Sequence, residues 1–330
     1  MKDRVPAGPG RNGRRRAVIV VAGEVLIDLV VSPGGQVNAL PGGGPYNAAR
    51  SLARLGAETT FLGRVGADAF GQLLCGQFTR EGVALGVPEP SGKPTTLSIA
   101  TLDRAGVASY SFYLDGTAAA DLDREILAKS LPADMSALHI GGLGLVMEPS
   151  GTAIESLVRA DVPADTLVFL DPNCRPTAIT DDEGYRNRLS AVARRADIVK
   201  ASAEDLAYIC PGEPVAAAAQ ALLRNGSSLV LVTDGSRPVC AYLPDGVLYE
   251  EVPEVAVADT IGAGDAFGGG FLAWWTERGL GRADLGHRDL VGEAVRVAAA
   301  AAALTCTRPG ADPPTLAEVR RFTRSRRAAR

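Results

Sequence analysis

Apolar residues fall along the chain either in short continuous runs or at helical spacing, and the two patterns follow one another in order. The first continuous run, 17–22, predicts a strand buried on both faces, as in a parallel sheet. A second apolar run ends at Asp28, and residues 46–55 then carry apolar side chains at helical spacing until Gly56. Residues 59–62 predict the next strand. The N-terminal part therefore has strand–helix–strand order.

The same alternation recurs through the rest of the chain, without an internal repeat. Strands alternating with helices are best accommodated in an α/β fold with a doubly wound, mostly parallel sheet flanked by helices. The pattern predicts strands at 137–140, 167–170, 198–200 and 229–233, and helices at 151–159, 185–193, 215–223 and 266–276.

Segment 95–114 breaks this pattern. Its residues are β-prone and partly alternating around a turn at 103–106, which predicts a hairpin. Together with residues 30–40 the hairpin would form a small β-sheet lid beside the core. Because side chains alternate between the two faces of a strand, Tyr110 and Phe112 share one face, and we expect that face to cover a small ligand.

Charge is distributed unevenly between the ends and the body of this 330-residue chain. Residues 1–16 hold six Lys or Arg and one acid, and residues 320–330 hold six Arg and no acid. Removing both from the totals of 34 basic and 38 acidic residues leaves 22 and 37, a net charge of −15 for the body. An acidic body argues against nucleic-acid binding, which needs clustered positive charge. We expect residues 1–16 and 321–330 to be basic, flexible tails around one domain at 17–320.

Composition also restricts compartment and metal chemistry. No run approaches the roughly 18 to 20 apolar residues of a membrane helix, and no signal-peptide pattern follows the basic N-terminus. We expect a soluble, cytoplasmic protein with no membrane partner. Five cysteines are scattered without a CxxC pair and the chain has two histidines, so neither a disulfide framework nor a structural zinc site is expected.

The strongest chemical signal is a glycine-rich turn before an apolar, helix-like segment, with the sequence DTIGAGDAF at residues 259–267. Gly262 and Gly264 can take backbone angles closed to other residues, so successive amides can converge on an anion, assisted by the positive end of the helix. We expect these amides to keep Asp265 ionised and able to accept the proton of an attacking hydroxyl. The alternative is a tight turn whose Asp265 caps the helix.

Two polar residues in the N-terminal part are candidates for binding a hydroxyl-rich ligand. Asp28 ends an apolar run, and open α/β sheets bind ligands at the carboxyl ends of their strands. Asn47 follows paired glycines and can both donate and accept hydrogen bonds. The alternatives are a solvated strand-end carboxylate for Asp28 and a helix cap for Asn47.

Two segments resemble the signatures of the PfkB carbohydrate kinases, the family that includes ribokinase, fructokinase and adenosine kinase. GGGPYNAA at 42–49 resembles the first signature, and the glycine-rich turn at 259–267, about 215 residues later, resembles the second. The resemblance covers about residues 17–320. It implies an ATP-dependent kinase that transfers the γ-phosphoryl group to a primary hydroxyl of a small sugar, with Mg²⁺ bridging the ATP phosphates.

The resemblance also implies residue roles. Asp265 would be the proton acceptor, and the amides of Gly262, Ala263 and Gly264 would stabilise charge on the transferred group. The sugar hydroxyls would be held by Asp28, Gly43, Gly44 and Asn47.

The sequence DPNCRP at 171–176 resembles the family's DPN-x-R segment. In that reading Asn173 would hold substrate or phosphate. Arg175 would either neutralise developing charge or brace its own loop, and both roles are left open.

Residues 200–205 align with the family element N-x-x-E, which organises Mg²⁺ through water. Ser202 and Asp205 stand here where Asn and Glu are usual, so the reach changes although oxygen ligands suited to Mg²⁺ remain. Lys200 would contribute to the nucleotide site. The alternative is a helix N-cap at Ser202 with acids in the first turn.

The resemblance further implies an ATP pocket. Thr233 and Gly235 resemble the loop that contacts ATP phosphates, although an Arg-Pro pair replaces the expected later glycine. The segment around Cys306 resembles the loop that encloses adenine. In some members main-chain oxygens there coordinate a monovalent cation such as K⁺, and Asp259 is the candidate residue here. Whether such a cation is required is left open.

Substrate identity rests on finer resemblances. Tyr46, residues 110–114 and residues 171–176 resemble the fructokinase branch, so fructose is the expected substrate. Ribose, 2-keto-3-deoxygluconate and a nucleoside remain alternatives, and a catalytically silent sugar or nucleotide sensor is the alternative of a different class. Lid-to-lid dimers are common in the family, and a homodimer is left open. The chain lacks a Walker-type G-x-x-x-x-G-K-[ST], and its first strand leads into Gly-Glu instead of G-x-G-x-x-G, which disfavours P-loop and Rossmann enzymes.

Overall fold

The computed structural model describes residues 18–103 and 108–328, and within these ranges thirteen strands form two sheets. In chain order the strands are β1 (Val18–Ala22), β2 (Leu26–Val31), β3 (Val37–Gly42), β4 (Thr59–Leu62), β5 (Ala84–Leu85), β6 (Leu97–Leu102), β7 (Ala108–Tyr113), β8 (Met135–Gly141), β9 (Leu167–Asp171), β10 (Ile198–Ser202), β11 (Leu229–Thr233), β12 (Val239–Leu243) and β13 (Gly246–Glu250).

The larger sheet has the strand order β13-β12-β11-β10-β9-β8-β1-β4-β5. Neighbouring strands are parallel from β5 to β11, and β12 and β13 add an antiparallel edge. The chain leaves β1 toward β4 on one side and later returns to β8 on the other. This reversal confirms the predicted doubly wound sheet, and such switch points are where open α/β sheets bind ligands.

Helices cover both faces of this sheet. They are α1 (Gly44–Arg54), α2 (Ala69–Glu81), α3 (Arg124–Lys129), α4 (Ser150–Ala160), α5 (Asp182–Ala193), α6 (Ala203–Ile209), α7 (Val215–Arg224), α8 (Ala263–Glu277), α9 (Arg288–Cys306) and α10 (Leu316–Ala328). No helix in the described ranges combines the length and apolar character needed to cross a membrane.

The continuous apolar runs of the strands are explained by these two helical layers. In β1, Ile19 and Val21 pack into the core formed with α1, α2, α8 and α9, whereas Val18 and Val20 pack into the core formed with α4, α5 and α7. Because both faces of the sheet are buried, the strands show no polar alternation. The predicted strands at 59–62 and 229–233 match β4 and β11 at both ends.

The smaller sheet has the order β3-β2-β6-β7 and contains both predicted lid segments. β6 and β7 pair antiparallel, which confirms the predicted hairpin, and β2 joins β6 in parallel and β3 in antiparallel. The turn predicted at 103–106 lies outside the described residues except for Asp103.

The C-terminal tail prediction is wrong over most of its length, because α10 continues to Ala328. Val319 is buried in the core, and Leu316 and Phe322 pack against it from the same face of the helix. The arginines of this segment predicted a solvated tail, but the apolar residues between them form a stripe that packs on the core. The predicted N-terminal tail, 1–16, lies outside the described residues.

Candidate functional site

The carboxyl ends of the central strands meet at one edge of the large sheet. β9 ends at Asp171, β10 at Ser202 and β11 at Thr233, and the register places Ser202 directly beside Thr233. This edge therefore brings together three sequence segments that were predicted to bind nucleotide or substrate.

Gly262 is the first residue of the glycine-rich turn 262–264 at the N-terminus of α8, whose amides we call the cradle. It has φ of 76°, in the left-handed region that favours glycine, and a Cβ built there would lie 2.6 Å from the Cβ of Ala311. A Cβ on Gly264 would lie 2.8 Å from the Nζ of Lys200. Backbone conformation therefore favours glycine at position 262, and the close approach of the Lys200 ammonium favours it at position 264.

Asp265 follows in the first turn of α8 and is almost fully buried. Asn47 Nδ2 donates a hydrogen bond to its Oδ2 at 3.0 Å. Burial raises the pKa of Asp265 to about 7, helped by the negative charge of Asp171 and opposed by Asn47. The expectation that cradle amides keep this carboxylate ionised is wrong. Within the described residues its hydrogen bond comes from Asn47, and burial dominates.

Residues from three distant segments converge on this carboxylate. A Cβ built on Gly44, the first residue of α1, would lie 2.8 Å from Asn173 Nδ2 and 3.3 Å from Asp265 Oδ1. Asn173 itself has φ of 43°, a conformation that L-residues seldom adopt. These contacts bring Gly44, Asn47, Asn173 and Asp265 together at one place in the structure.

Asp28 lies on β2 beside Gly42, where a Cβ would fall 2.0 Å from its Oδ2. Burial raises the pKa of Asp28, while a hydrogen bond with Ser98 and the charge of Arg175 oppose the rise. Arg175 is exposed and donates to the carbonyls of Asn173 and Cys174 at 3.4 and 3.0 Å. Arg175 therefore braces its loop and also places positive charge near Asp28, while its predicted action on developing charge stays a prediction.

The register of the small sheet fixes which side chains share the face of Asp28. Asp28 pairs with Ser98, Ser98 pairs with Phe112, and Ala100 pairs with Tyr110. Paired residues lie on the same face, and the rings of Tyr110 and Phe112 stack with centroids 6.3 Å apart. The predicted sharing of a face is confirmed. That these rings cover a ligand stays a prediction.

Lys200 is buried in the middle of β10, and its Nζ lies 2.8 Å from Asp171 Oδ2. Burial works against its charge, but the carboxylates of Asp171 and Asp205 outweigh burial and raise the pKa of Lys200. A fixed ammonium group thus lies directly beneath Gly264.

Asp205 serves as part of a helix cap. Its Oδ1 accepts from the Cys174 amide at 2.7 Å, and its Oδ2 accepts from the amide and hydroxyl of Ser202 at 2.8 and 2.7 Å. This is the capping alternative left open by the sequence. No cluster of three or more His, Cys, Asp or Glu side chains suited to a metal occurs among the described residues.

A cavity of about 510 Å³ opens beside the cradle, large enough for a nucleotide-sized ligand. Of the residues predicted to bind cofactor, those in its lining are Lys200, Ser202, Thr233, Gly235 and Gly264. The other two residues predicted to bind cofactor, Gly262 and Cys306, do not line this cavity. The Cys306 carbonyl instead accepts the amides of Ala258 and Asp259.

The predicted cation residue Asp259 has a local structural role in this arrangement. Its Oδ1 accepts from the Ile261 amide at 3.1 Å and its Oδ2 from the Gly310 amide at 2.8 Å. Asp259 therefore ties the cradle to the loop after α9.

One buried residue of this region was not predicted from the sequence to have a role. Glu24 is buried beside Gly44, although it was noted only as part of the Gly-Glu dipeptide after β1. A charged residue within the apolar sequence Val-Ala-Gly-Glu-Val-Leu could have indicated a buried, hydrogen-bonded carboxylate. Tyr46, used to assign the substrate branch, is wholly buried and packs edge-on against Phe78.

Comparisons with known proteins agree with this fold. A family model described as pfkB family carbohydrate kinase matches residues 17–318. A fructokinase from Rhizobium leguminosarum bv. trifolii is 34% identical over 264 residues, which cover 78% of this chain and 79% of that protein. A Xylella fastidiosa fructokinase structure with bound ATP has a TM-score of 0.86 and 29% identity, covering 94% of this chain and 99% of that one. A double mutant of Vibrio cholerae fructokinase, solved with fructose, ADP and potassium, has a TM-score of 0.80 and 25% identity, covering 94% and 99%.

Proposed function

This chain belongs to the pfkB family of carbohydrate kinases, and we propose that the sugar it phosphorylates is fructose, with ATP as phosphoryl donor. The observation that carries the proposal is the convergence of Asn47, Asn173 and Asp265 between the small sheet and the nucleotide-sized cavity. The similarity to fructokinases along most of the chain supports the choice of sugar.

The sugar would be held on the side of the small sheet. Asp28 and Asn47 supply a carboxylate and an amide for adjacent hydroxyls, with Gly43 and Gly44 allowing close approach. Asn173 lies near Gly44, where it can meet sugar or phosphate. Tyr110 and Phe112 would cover the sugar and exclude water, which otherwise competes as phosphoryl acceptor.

Proton transfer would fall to Asp265. With a pKa of about 7, its carboxylate is poised to accept the proton of a primary hydroxyl near neutral pH. As the hydroxyl oxygen attacks in line, the amides of Gly262, Ala263 and Gly264 and the ammonium of Lys200 would stabilise charge on the transferred group.

The nucleotide would occupy the cavity lined by Ser202, Thr233 and Gly235. Mg²⁺ neutralises phosphate charge when bound, and the residues present fit an ion that keeps most of its waters. Both oxygens of Asp205 already accept hydrogen bonds, so contact through water is the suitable mode. For a monovalent cation, Asp259 would act by holding together the loops at Ile261 and Gly310, whose main-chain oxygens would be the candidate ligands.

The test is a coupled ADP-release assay over fructose, ribose, 2-keto-3-deoxygluconate and adenosine, with the Asp265→Asn protein as control. We expect fructose-dependent turnover that is lost in the control. Turnover of another member of the panel with none of fructose would correct the substrate. No turnover of any member, combined with calorimetric binding of sugar or ATP, would favour the sensor alternative.

A further inference from the structure

Glu24 is a buried carboxylate that the proposed phosphoryl transfer does not use. It lies between β1 and β2, and almost none of its surface is exposed. Its Oε1 accepts the Gly44 amide at 3.1 Å, and its Oε2 accepts the Gly144 amide at 2.8 Å. One side chain therefore joins two segments that are a hundred residues apart in sequence.

Each of these segments borders the sugar side of the site. Gly44 lies beside Asn173 and Asp265 and starts the helix that carries Asn47. Gly144 belongs to the 3₁₀ turn Gly142–Leu145, whose Leu143 is in the apolar cluster against which Phe112 packs. The Glu24 carboxylate thus connects the loop proposed to bind the sugar with the turn whose apolar cluster packs against Phe112, one of the two rings proposed to cover the sugar.

The packing leaves little freedom in this connection. A Cβ built on Gly142 would lie 2.6 Å from Glu24 Oε1, and a Cβ on Gly43 would lie 2.9 Å from the Glu24 carbonyl oxygen and 3.4 Å from its Cγ. The glycines therefore close around this side chain. Displacement of the carboxylate would have to be accompanied by movement of the loop or of the turn.

Only a carboxylate satisfies both partners, because each partner is an N–H donor. Glutamine offers one acceptor oxygen and an NH₂ group, which would face the second amide as donor against donor. Burial raises the pKa of Glu24 to about 7, against the effect of the Gly144 amide. The buried charge therefore costs folding free energy, which the hydrogen bonds from the two amides offset.

We propose that Glu24 is a positioning residue that locks the sugar-binding loop Gly42–Gly44 against the turn Gly142–Leu145, and that this lock sets sugar affinity but not ATP affinity. The inference rests on the proposed function, since it assigns a role within the same sugar site. Glu24 acts through Gly44, Asn47 and Phe112 and takes no part in proton transfer.

The test compares Glu24→Gln with wild type using fructose and ATP. We expect the KM for fructose to rise by about tenfold or more, with kcat within about threefold and the KM for ATP within about twofold. Hydrogen exchange should accelerate in peptides containing Gly44 and in peptides containing Gly144. An unchanged KM for fructose, or equal increases for fructose and ATP, would overturn the proposal.

Asp197→Asn is the matched control. Asp197 is also a buried carboxylate and accepts a hydrogen bond from the Val168 amide at 2.8 Å. It directly precedes β10 and so lies at the amino-terminal ends of the parallel strands, away from the site. This variant should lower Tm and leave the KM for fructose unchanged. A similar rise in the KM for fructose in both variants would show a general effect of lost stability, and the positioning role would be abandoned.

Two further outcomes are considered, a variant that does not fold and a wild type that does not phosphorylate fructose. If Glu24→Gln does not fold, Glu24→Asp is judged by the same criteria, since it retains the charge but withdraws it by one methylene. Failure of both to fold would assign Glu24 to folding and overturn the proposal. Absence of fructose turnover in wild type would refute the proposed substrate. Hydrogen exchange in the peptides containing Gly44 and Gly144 would still test whether Glu24 holds the loop against the turn.

Discussion

Asp265 illustrates how one residue can be necessary for turnover without dominating binding. It touches Asn47 and lies in the first turn of α8, so Asp265→Asn keeps the shape of the site but removes the proton acceptor. We expect kcat to fall by about 10² to 10⁴-fold, with the Kd values for fructose and ATP little changed. Steady-state kinetics with calorimetry checks this, and more than half of wild-type turnover with chemistry rate-limiting would remove Asp265 from its role.

The raised pKa of Asp265 also fixes the direction of the pH profile. A base must be ionised, so wild-type kcat/KM for fructose should decline as pH falls through about 7, the pKa set mainly by burial in the free protein. The measurement is kcat/KM for fructose from about pH 5.5 to about 9. A profile that stays flat across neutrality would contradict the assignment.

The same burial should make Asp265 unfavourable for stability at high pH. A carboxylate whose pKa is higher in the folded than in the unfolded state stabilises the fold below its unfolded pKa and loses that contribution as pH rises through about 7. Asp265→Asn should therefore unfold at a higher temperature than wild type at pH 8, a gain on the order of 1 kcal/mol or more. The gain should shrink toward pH 5, and an equal gain at both pH values would point to packing instead.

At the scale of single elements, α10 shows how an apolar stripe outweighs a run of arginines. Leu316, Val319 and Phe322 dock on the core formed with α9. Truncation after Thr315 should cost about 3 kcal/mol or more, from the apolar area returned to water. Denaturant unfolding measures this. Arg321→Ala, on the exposed side of α10, is the control and should stay within about 0.5 kcal/mol of wild type.

The small sheet is the element that should select the sugar. Phe112 shares a face with Asp28 through the strand register, whereas Tyr113 points to the other face of β7. If these rings enclose a compact site, wild type should prefer fructose to adenosine by at least about tenfold in kcat/KM.

The matched pair for this prediction is Phe112→Ala and Tyr113→Ala. Phe112→Ala should lower the preference by relieving overlap with a bulky base, and Tyr113→Ala should leave it unchanged. Competition assays with both substrates measure the ratio. Adenosine turned over as well as fructose by wild type would contradict the enclosed sugar site without affecting the kinase assignment.

At the scale of the whole molecule, the fold joins a site from pieces that are distant in sequence. Asn47 and Asp265 are hydrogen-bonded although they are 218 residues apart, and Lys200 approaches the cradle from another strand. The doubly wound topology makes this arrangement possible, because parallel strands end at the same edge of the sheet.

The sequence by itself determined the parts that depend on local pattern. Continuous apolar runs predicted the buried strands, alternation predicted the hairpin of β6 and β7, and the two glycine-rich segments indicated the family to which the chain belongs. These properties can be predicted from neighbouring residues, because strand burial, face alternation and turn conformation depend on short spacings in the sequence.

Only the tertiary structure decided the properties that depend on surroundings. It raised the pKa of Asp265 where ionisation was expected, placed one oxygen of Asp205 in a helix cap and the other on the Cys174 amide, and buried Glu24 between two loops. It also folded α10 where a tail was predicted. The physical reason is common to these cases. Desolvation, hydrogen-bond partners and packing surfaces come from residues far away in sequence, and no local pattern records them.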